Sequence, residues 1–424
     1  FRFFSDCLWA APLGLMQASG DLAPCREWEY LLIPGDVLKA RKDRYVLQMT
    51  EELWETTYLD DVKLIAVDHP ADVSVFTNEK VGSPQLAAHR IHTVRNRRLP
   101  VSVVDSRGHD LLPGLKRQDG NYVKPFTHRK VQGLVDPWSM EFDLGEIGTP
   151  SNVRLVLTGW VYPTSVNLNE GILQNPDLSP PAPPSIEIPD GQGGWQTVIP
   201  FIGFPGGKTK AMVIDLTDAL KDGQSRVRVS SSMELYWDEA FFTLDESDEA
   251  VVVNDCPLQS ADLHYLGFPR RMYHDNSLFR NGLGPEDYDH SQVQEQMRWP
   301  PIMGRFTRYG QTQPLLTAQD DQMVVMGPGD ELTLEFQVPV EPVPDGWVRD
   351  FVIYNVGWDK DANLNTVLGQ SSEPYPHSRM TQYPFSLSDS LPDSPEYQGY
   401  LREYQTREYH PDAFWKTPIA PTLH

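Results

Sequence analysis

The chain has 424 residues, 40% of them hydrophobic and 11% aromatic, which is enough apolar mass for several packed domains and too much for a disordered chain. Its 59 acidic residues against 36 basic ones leave a net charge of -23, which disfavours nucleic acid and anionic membrane surfaces as partners, because their phosphates would be repelled. Thirty-seven prolines and thirty glycines argue for many turns and against long helices.

In chain order, residues 1–130 read as a first β-unit. Tyr45-Val46-Leu47-Gln48-Met49 and Val62 to Val67 alternate with period two, and Gly35-Asp36 reads as a turn into that sheet. His89 to Arg98 carries Arg90, Arg95, Arg97 and Arg98, the one basic cluster, and reads as a solvated loop balancing nearby acids or as an anion site. Residues 131–246 read as a jelly-roll, carbohydrate-binding-like domain. Met140, Phe142 and Leu144 alternate with acids, Val153, Leu155 and Leu157 lead to Gly159-Trp160, and Met212, Ile214 and Leu216 follow. Asn175 to Gly194 is predicted to be a long loop over one end of this domain. Residues 247–320 read as an irregular connector, 321–365 as a third β-unit, and 366–424 as an extended Pro/Tyr-rich tail with one short helix at Glu396 to Tyr409. The expected fold is therefore all-β: tandem β-sandwich or jelly-roll units with long irregular Pro-rich connectors.

One phrase recurs. Glu52-Leu53-Trp54-Glu55-Thr56-Thr57-Tyr58-Leu59 follows a strand-like run, and so does Glu234-Leu235-Tyr236-Trp237-Asp238-Glu239-Ala240-Phe241-Phe242. Two copies of a strand, an acidic turn beside a Trp and a second strand imply duplicated β-domains.

Few motifs carry chemistry. Gly203 to Thr209 fails as a phosphate loop, because Ile202 stands where the first glycine belongs and a strand follows in place of a helix. No haem or nucleotide motif is present. Asp359-Lys360-Asp361-Ala362-Asn363-Leu364-Asn365 places an oxygen ligand at every second residue, a pattern that suits Ca2+ or an Asx-rich turn. His264, His274 and His290 sit with Asp262, Asp275, Asp287 and Asp289, as a metal or acid–base group or as structural hydrogen-bonding residues. Trp160, Trp195, Tyr236 and Trp237 either stack on sugar rings or plug the core. Cys7 and Cys25 can close a disulfide, with Cys256 left free, or all three are reduced thiols. No run approaches the ~20 apolar residues of a membrane-spanning helix. The chain opens on Phe1 without a leader-like pattern, so it reads as a mature chain or part of a longer one.

Several longer phrases stand out: Tyr45 to Pro70, Val153 to Tyr162, Trp195 to Thr217, Ala261 to Phe268, Trp299 to Tyr309 and Gly357 to Gln370. Together they resemble the C-terminal region of large bacterial FG-GAP/VCBS, ASPIC/UnbV-type (cartilage-acidic-protein-like) multidomain proteins. The Asp-rich blade loop of the FG-GAP propeller is absent from these residues. The resemblance implies an exported protein of the periplasm, cell surface or exterior, used in adhesion or assembly, and it supplies no catalytic residue. The expected function is thus non-catalytic binding of a surface glycan or of protein partners. The alternatives are a structural subunit of a larger extracellular or membrane-attached complex, and a glycan-active enzyme with an Asp/Glu pair.

Overall fold

The computed structural model describes residues 2–4, 11–12, 27–81, 90–207, 209–221, 223–272, 287–364, 368–380, 383, 385 and 393–409. Cys7, Cys25, His274, Asp275 and Asn365 lie outside the described residues. The fold is all-β. Among the described residues no α-helix exceeds nine residues, and no helix is long and apolar enough to cross a membrane.

The first strands are β1 (Glu27–Ile33), β2 (Arg44–Thr50) and β3 (Glu55–Pro70). A short hairpin of β4 (Ser74–Thr77) and β5 (Ile91–Val94) follows. The chain then builds a second unit from β6 (Ser102–Asp105), β7 (Leu134–Asp143), β8 (Val153–Val161), β9 (Ser185–Pro189), β10 (Trp195–Ile199), β11 (Lys210–Asp215), β12 (Arg226–Met233) and β13 (Leu235–Leu244). It returns with β14 (Val252–Cys256), β15 (Leu258–Tyr265), β16 (Val324–Met326), β17 (Asp330–Gln337) and β18 (Trp347–Asp361).

The returning strands complete the first unit. β17 lies antiparallel between β2 and β15, with Leu332 opposite Met49 and Leu334 opposite Leu47. β18 lies between β1 and β3, and β14 and β16 also pair with β3. Alternation turns Leu47, Met49, Leu332, Leu334 and Phe336 of one sheet toward Leu59, Leu64, Ala66, Phe351 and Ile353 of the other, in one shared core. Residues 321–365 are therefore the missing half of the first unit and not a third one, and residues 247–320 supply strands to its sheets. The connector expected there is corrected by β14 and β15, whose backbone groups pair with β3 and β17.

The second unit is inserted within the first. Its sheets are β7–β12–β9–β10, with β6 beside β7, and β11–β8–β13. Val103, Met140, Phe142, Ile186, Val227 and Val229 face Leu155, Leu157, Met212, Ile214, Ala240 and Phe242 across a second core. β6 and the segment with Leu115 and Phe126 belong to this core, so the boundary falls near residue 95 and not at 130. The predicted loop at 175–194 contains β9, hydrogen-bonded to β12. The tail helix is Pro395–Glu403, N-capped by Ser394, and it buries Tyr397 and Tyr400.

The recurring phrase marks the corner where the chain leaves one sheet of a unit for the other. β2 passes to β3 there, and β12 passes to β13. The strand after each corner pairs with one carrying Gly-Trp at a bulge: Trp358 sits opposite Tyr58, and Trp160 opposite Tyr236. Glycine is required at both bulges. A Cβ at Gly357 would lie 2.1 Å from the Tyr58 carbonyl oxygen, and one at Gly159 2.3 Å from that of Tyr236. The two strand pairs occur in opposite chain order in the two units, which is why the repeat does not read as a simple tandem copy.

Candidate functional site

The outer face of the β7–β12–β9 sheet carries an open groove of about 570 Å³. Strand alternation builds it. Val227 and Val229 point into the core, so Arg228 and Ser230 point out. Met140 and Ile186 point in, so Ser139, Ser185 and Glu187 point out beside them. Ser139 and Ser185 both register with Ser230, and Glu187 registers with Arg228. Small hydroxyl side chains at three adjacent positions leave a trough where longer ones would fill it. Trp138, its indole nitrogen donating to the Met233 carbonyl at 2.9 Å, lines the trough with the Ser179–Pro183 segment.

The polar groups of the trough are ordered. Arg228 Nε donates to Glu187 Oε2 at 2.5 Å, and Ser230 Oγ donates to the same oxygen at 2.9 Å. Ser231 Oγ donates to the Ala182 carbonyl at 2.7 Å, while Ser232 Oγ accepts the Ala182 amide at 2.8 Å. At one end the Arg228 guanidinium lies 4.5 Å from the centre of the Trp195 ring, with Arg226 at 5.5 Å. The surface offers donors, acceptors and one charge pair, with an aromatic at its end. That set suits recognition of hydroxyl-rich ligands.

Of the aromatics predicted from sequence, Trp195 alone adjoins this groove. Trp160, Tyr236 and Trp237 are core residues, the last two with no exposed surface. Trp160 stacks on Tyr236 at 4.8 Å. Burial and the Glu234 carboxylate, which accepts its hydroxyl at 2.5 Å, push the Tyr236 phenol well above its ordinary range. The expectation of a sugar platform at these three is corrected by their depth: the corner strands carry them inward.

The Asp-x-Asp alternation belongs to a strand and not to a loop. Asp359 and Asp361 are the end of β18, opposite Thr57 and Glu55 of β3. Lys360, facing the other way, donates to the Tyr383 hydroxyl at 2.9 Å. Asn363 is buried and donates to Asn167 Oδ1 at 3.2 Å. Among the described residues no group of three or more His, Cys, Asp or Glu is placed to hold a metal ion.

His264 and His290 lie beside carboxylates of the first unit. His264 Nε2 is 3.1 Å from Glu331, its Nδ1 is 3.3 Å from Asp262, and His290 Nε2 is 3.4 Å from Glu52. Asp289 caps its own turn through Ser291. Cys256 is a buried free thiol, pushed up to about 12 by burial. In the basic cluster, Arg95 bridges Asp72 and Glu249, and Arg97 reaches Glu239 at 2.9 Å.

The serine groove itself escaped the sequence reading, because serine carries no catalytic or aromatic signal. The outward sets Ser185/Glu187 and Arg228/Ser230/Ser232 are visible only once the inward valines and isoleucine fix the strand phase. No protein-family model matches the chain. No curated protein is significantly similar to it.

Proposed function

We propose that this protein is a non-catalytic binding protein whose serine-floored groove takes a polyhydroxylated, glycan-type ligand. The observation that carries the reading is the groove on the outer face of the second unit, with Ser139, Ser185 and Ser230 on its floor and the Arg228–Glu187 pair at its wall. Its volume lies in the usual range of small-ligand sites, ~300–1,000 Å³. A pre-ordered Arg–Glu pair offers both a donor fork and an acceptor to vicinal hydroxyls without a new ordering cost. A jelly-roll sandwich of the carbohydrate-binding kind is the finer fold that accompanies this reading. The resemblance to exported FG-GAP and ASPIC/UnbV-type proteins supports a cell-surface or extracellular setting, in which a surface glycan is the partner.

Affinity electrophoresis of the full chain in gels containing neutral and acidic polysaccharides tests this. Retardation by at least one polysaccharide is expected, reduced at least tenfold in Arg228→Ala and less strongly in Trp195→Ala. No retardation by any polysaccharide, or equal retardation of Arg228→Ala, would contradict the proposal.

A further inference from the structure

A second cavity, of about 340 Å³, lies at the joint between the two units. The β4–β5 hairpin docks there on the outer face of the β11–β8–β13 sheet, where Phe76 and Val94 pack against Val156, Val213 and Phe241. The chain leaving β4 is stitched to β11. Val213 N donates to Asn78 Oδ1 at 3.1 Å, and Glu79 N to the Ala211 carbonyl at 3.0 Å. Lys80 is thereby held at the cavity wall, buried, with its ammonium donating to the Val213 carbonyl at 3.1 Å.

The lining is cationic in a strongly acidic chain. Lys80, Arg90, His92 and Arg154 face the cavity, and Asp215 is the one acid among its described lining residues. Asp215 is exposed and accepts the Thr217 amide at 2.9 Å. Asp248 behind the wall accounts for Arg154, at 2.6 Å, and lies 3.3 Å from His92 Nδ1. Lys80 has no such counterpart: among the described residues no carboxylate lies within ion-pair distance of it. Burial pulls its amine down to about 8 and the His92 imidazole below its ordinary value, so at neutral pH the positive charge facing the cavity sits on Lys80, Arg90 and Arg154. Taking an ammonium out of water without a counter-charge is costly, and a pocket that keeps one beside an opening is set up for an anion to supply it.

We propose that this joint cavity is an oxyanion-binding site, taking the carboxylate or sulfate group of a small ligand between Lys80 and Arg90 with Arg154 behind. Its position makes it more than a surface patch. An anion there would tie the β4–β5 hairpin of the first unit to β8 and β11 of the second. It is independent of the serine groove, which lies on the opposite sheet.

The test is isothermal titration of the full chain at pH 7 with sodium sulfate and with sodium glucuronate, against sodium chloride at matched ionic strength. Saturable binding of either anion is expected, at least tenfold weaker in both Lys80→Met and Arg90→Gln. Sulfate alone would assign the site to sulfate groups, and glucuronate alone to sugar acids. Heats no different from chloride, or binding unchanged in the two variants, would overturn the proposal. Should Lys80→Met fail to fold, Arg90→Gln, at the exposed rim, decides alone.

Discussion

At the scale of single residues, two features set the chain's tolerance to change. The first is the pair of Gly-Trp bulges. Gly357 and Gly159 sit so close to a neighbouring carbonyl that a methyl group cannot enter without moving backbone. Gly357→Ala and Gly159→Ala are each expected to cost about 1–3 kcal/mol, read as a lowered urea midpoint with unchanged slope. An unchanged midpoint would mean the bulges yield more easily than their geometry implies.

The second is Lys360, enclosed by Tyr383 at 5.4 Å and Tyr58 at 6.0 Å. Burial lowers its amine from 10.5 to about 7. The folded protein therefore loses this proton first, and the unfolded chain binds more protons between about pH 7 and 10.5. Stability must rise with pH across that window, by up to about 1.4 kcal/mol per pH unit from this group. Comparing wild type with Lys360→Met isolates the effect. The wild type is expected to gain stability relative to the variant from pH 6.5 to 9.5, and parallel curves would contradict the burial of a charged amine.

At the scale of elements, each unit turns on a corner that holds a buried glutamate. Glu234 accepts from Arg129, from the Gly133 amide at 3.0 Å and from the Tyr236 hydroxyl. Glu51 accepts from the Leu53 amide at 3.0 Å and the Thr57 hydroxyl at 2.7 Å. Removing one member of a buried charged network leaves its partners desolvated and unpaired. Glu234→Ala is expected to cost about 3–5 kcal/mol in chemical denaturation, and Glu234→Gln distinctly less, since it keeps an acceptor. Equal costs would assign the effect to packing alone.

Much of this level was legible in the sequence. Tyr45, Leu47 and Met49 are inward because alternation demands it, and the recurring Glu-Leu-Trp and Glu-Leu-Tyr-Trp phrases do mark equivalent corners. What alternation cannot say is which strand lies alongside. β2 and β17 each read as a good half-buried strand, yet nothing local in either reports that Leu47 meets Leu334, more than half the chain away. The Asp359/Asp361 pattern reads as a loop for a related reason, because period two in polar residues is the same in a strand as in a ligand loop; the structure places both residues on β18. The groove stayed hidden because its floor is defined by small side chains, whose effect is the space they leave.

At the scale of the whole molecule, the fold is one unit interrupted by another. Among the described residues, the core of the second unit lies between Val103 and Leu244, whereas the first core draws on residues from Phe3 to Tyr400. A fragment of residues 98–246 is therefore expected to fold alone, with a cooperative thermal transition by near-ultraviolet circular dichroism. A fragment of residues 27–95, lacking β14 to β18, is expected to remain unfolded. A cooperative transition in the shorter fragment would contradict the interrupted arrangement. The insertion also explains the joint: β4 and β5 leave the first unit to grip the second, and the docked face is where the cationic cavity forms.

The ligand proposed for the trough over Ser139, Ser185 and Ser230 is a glycan. A glycan array probed with the full chain beside Ser230→Trp, whose indole would fill the trough, tests it most directly. The wild type is expected to bind a restricted set of hydroxyl-rich glycans, and the variant to lose them. Binding that survives in Ser230→Trp, or an array with no bound glycan, would contradict it.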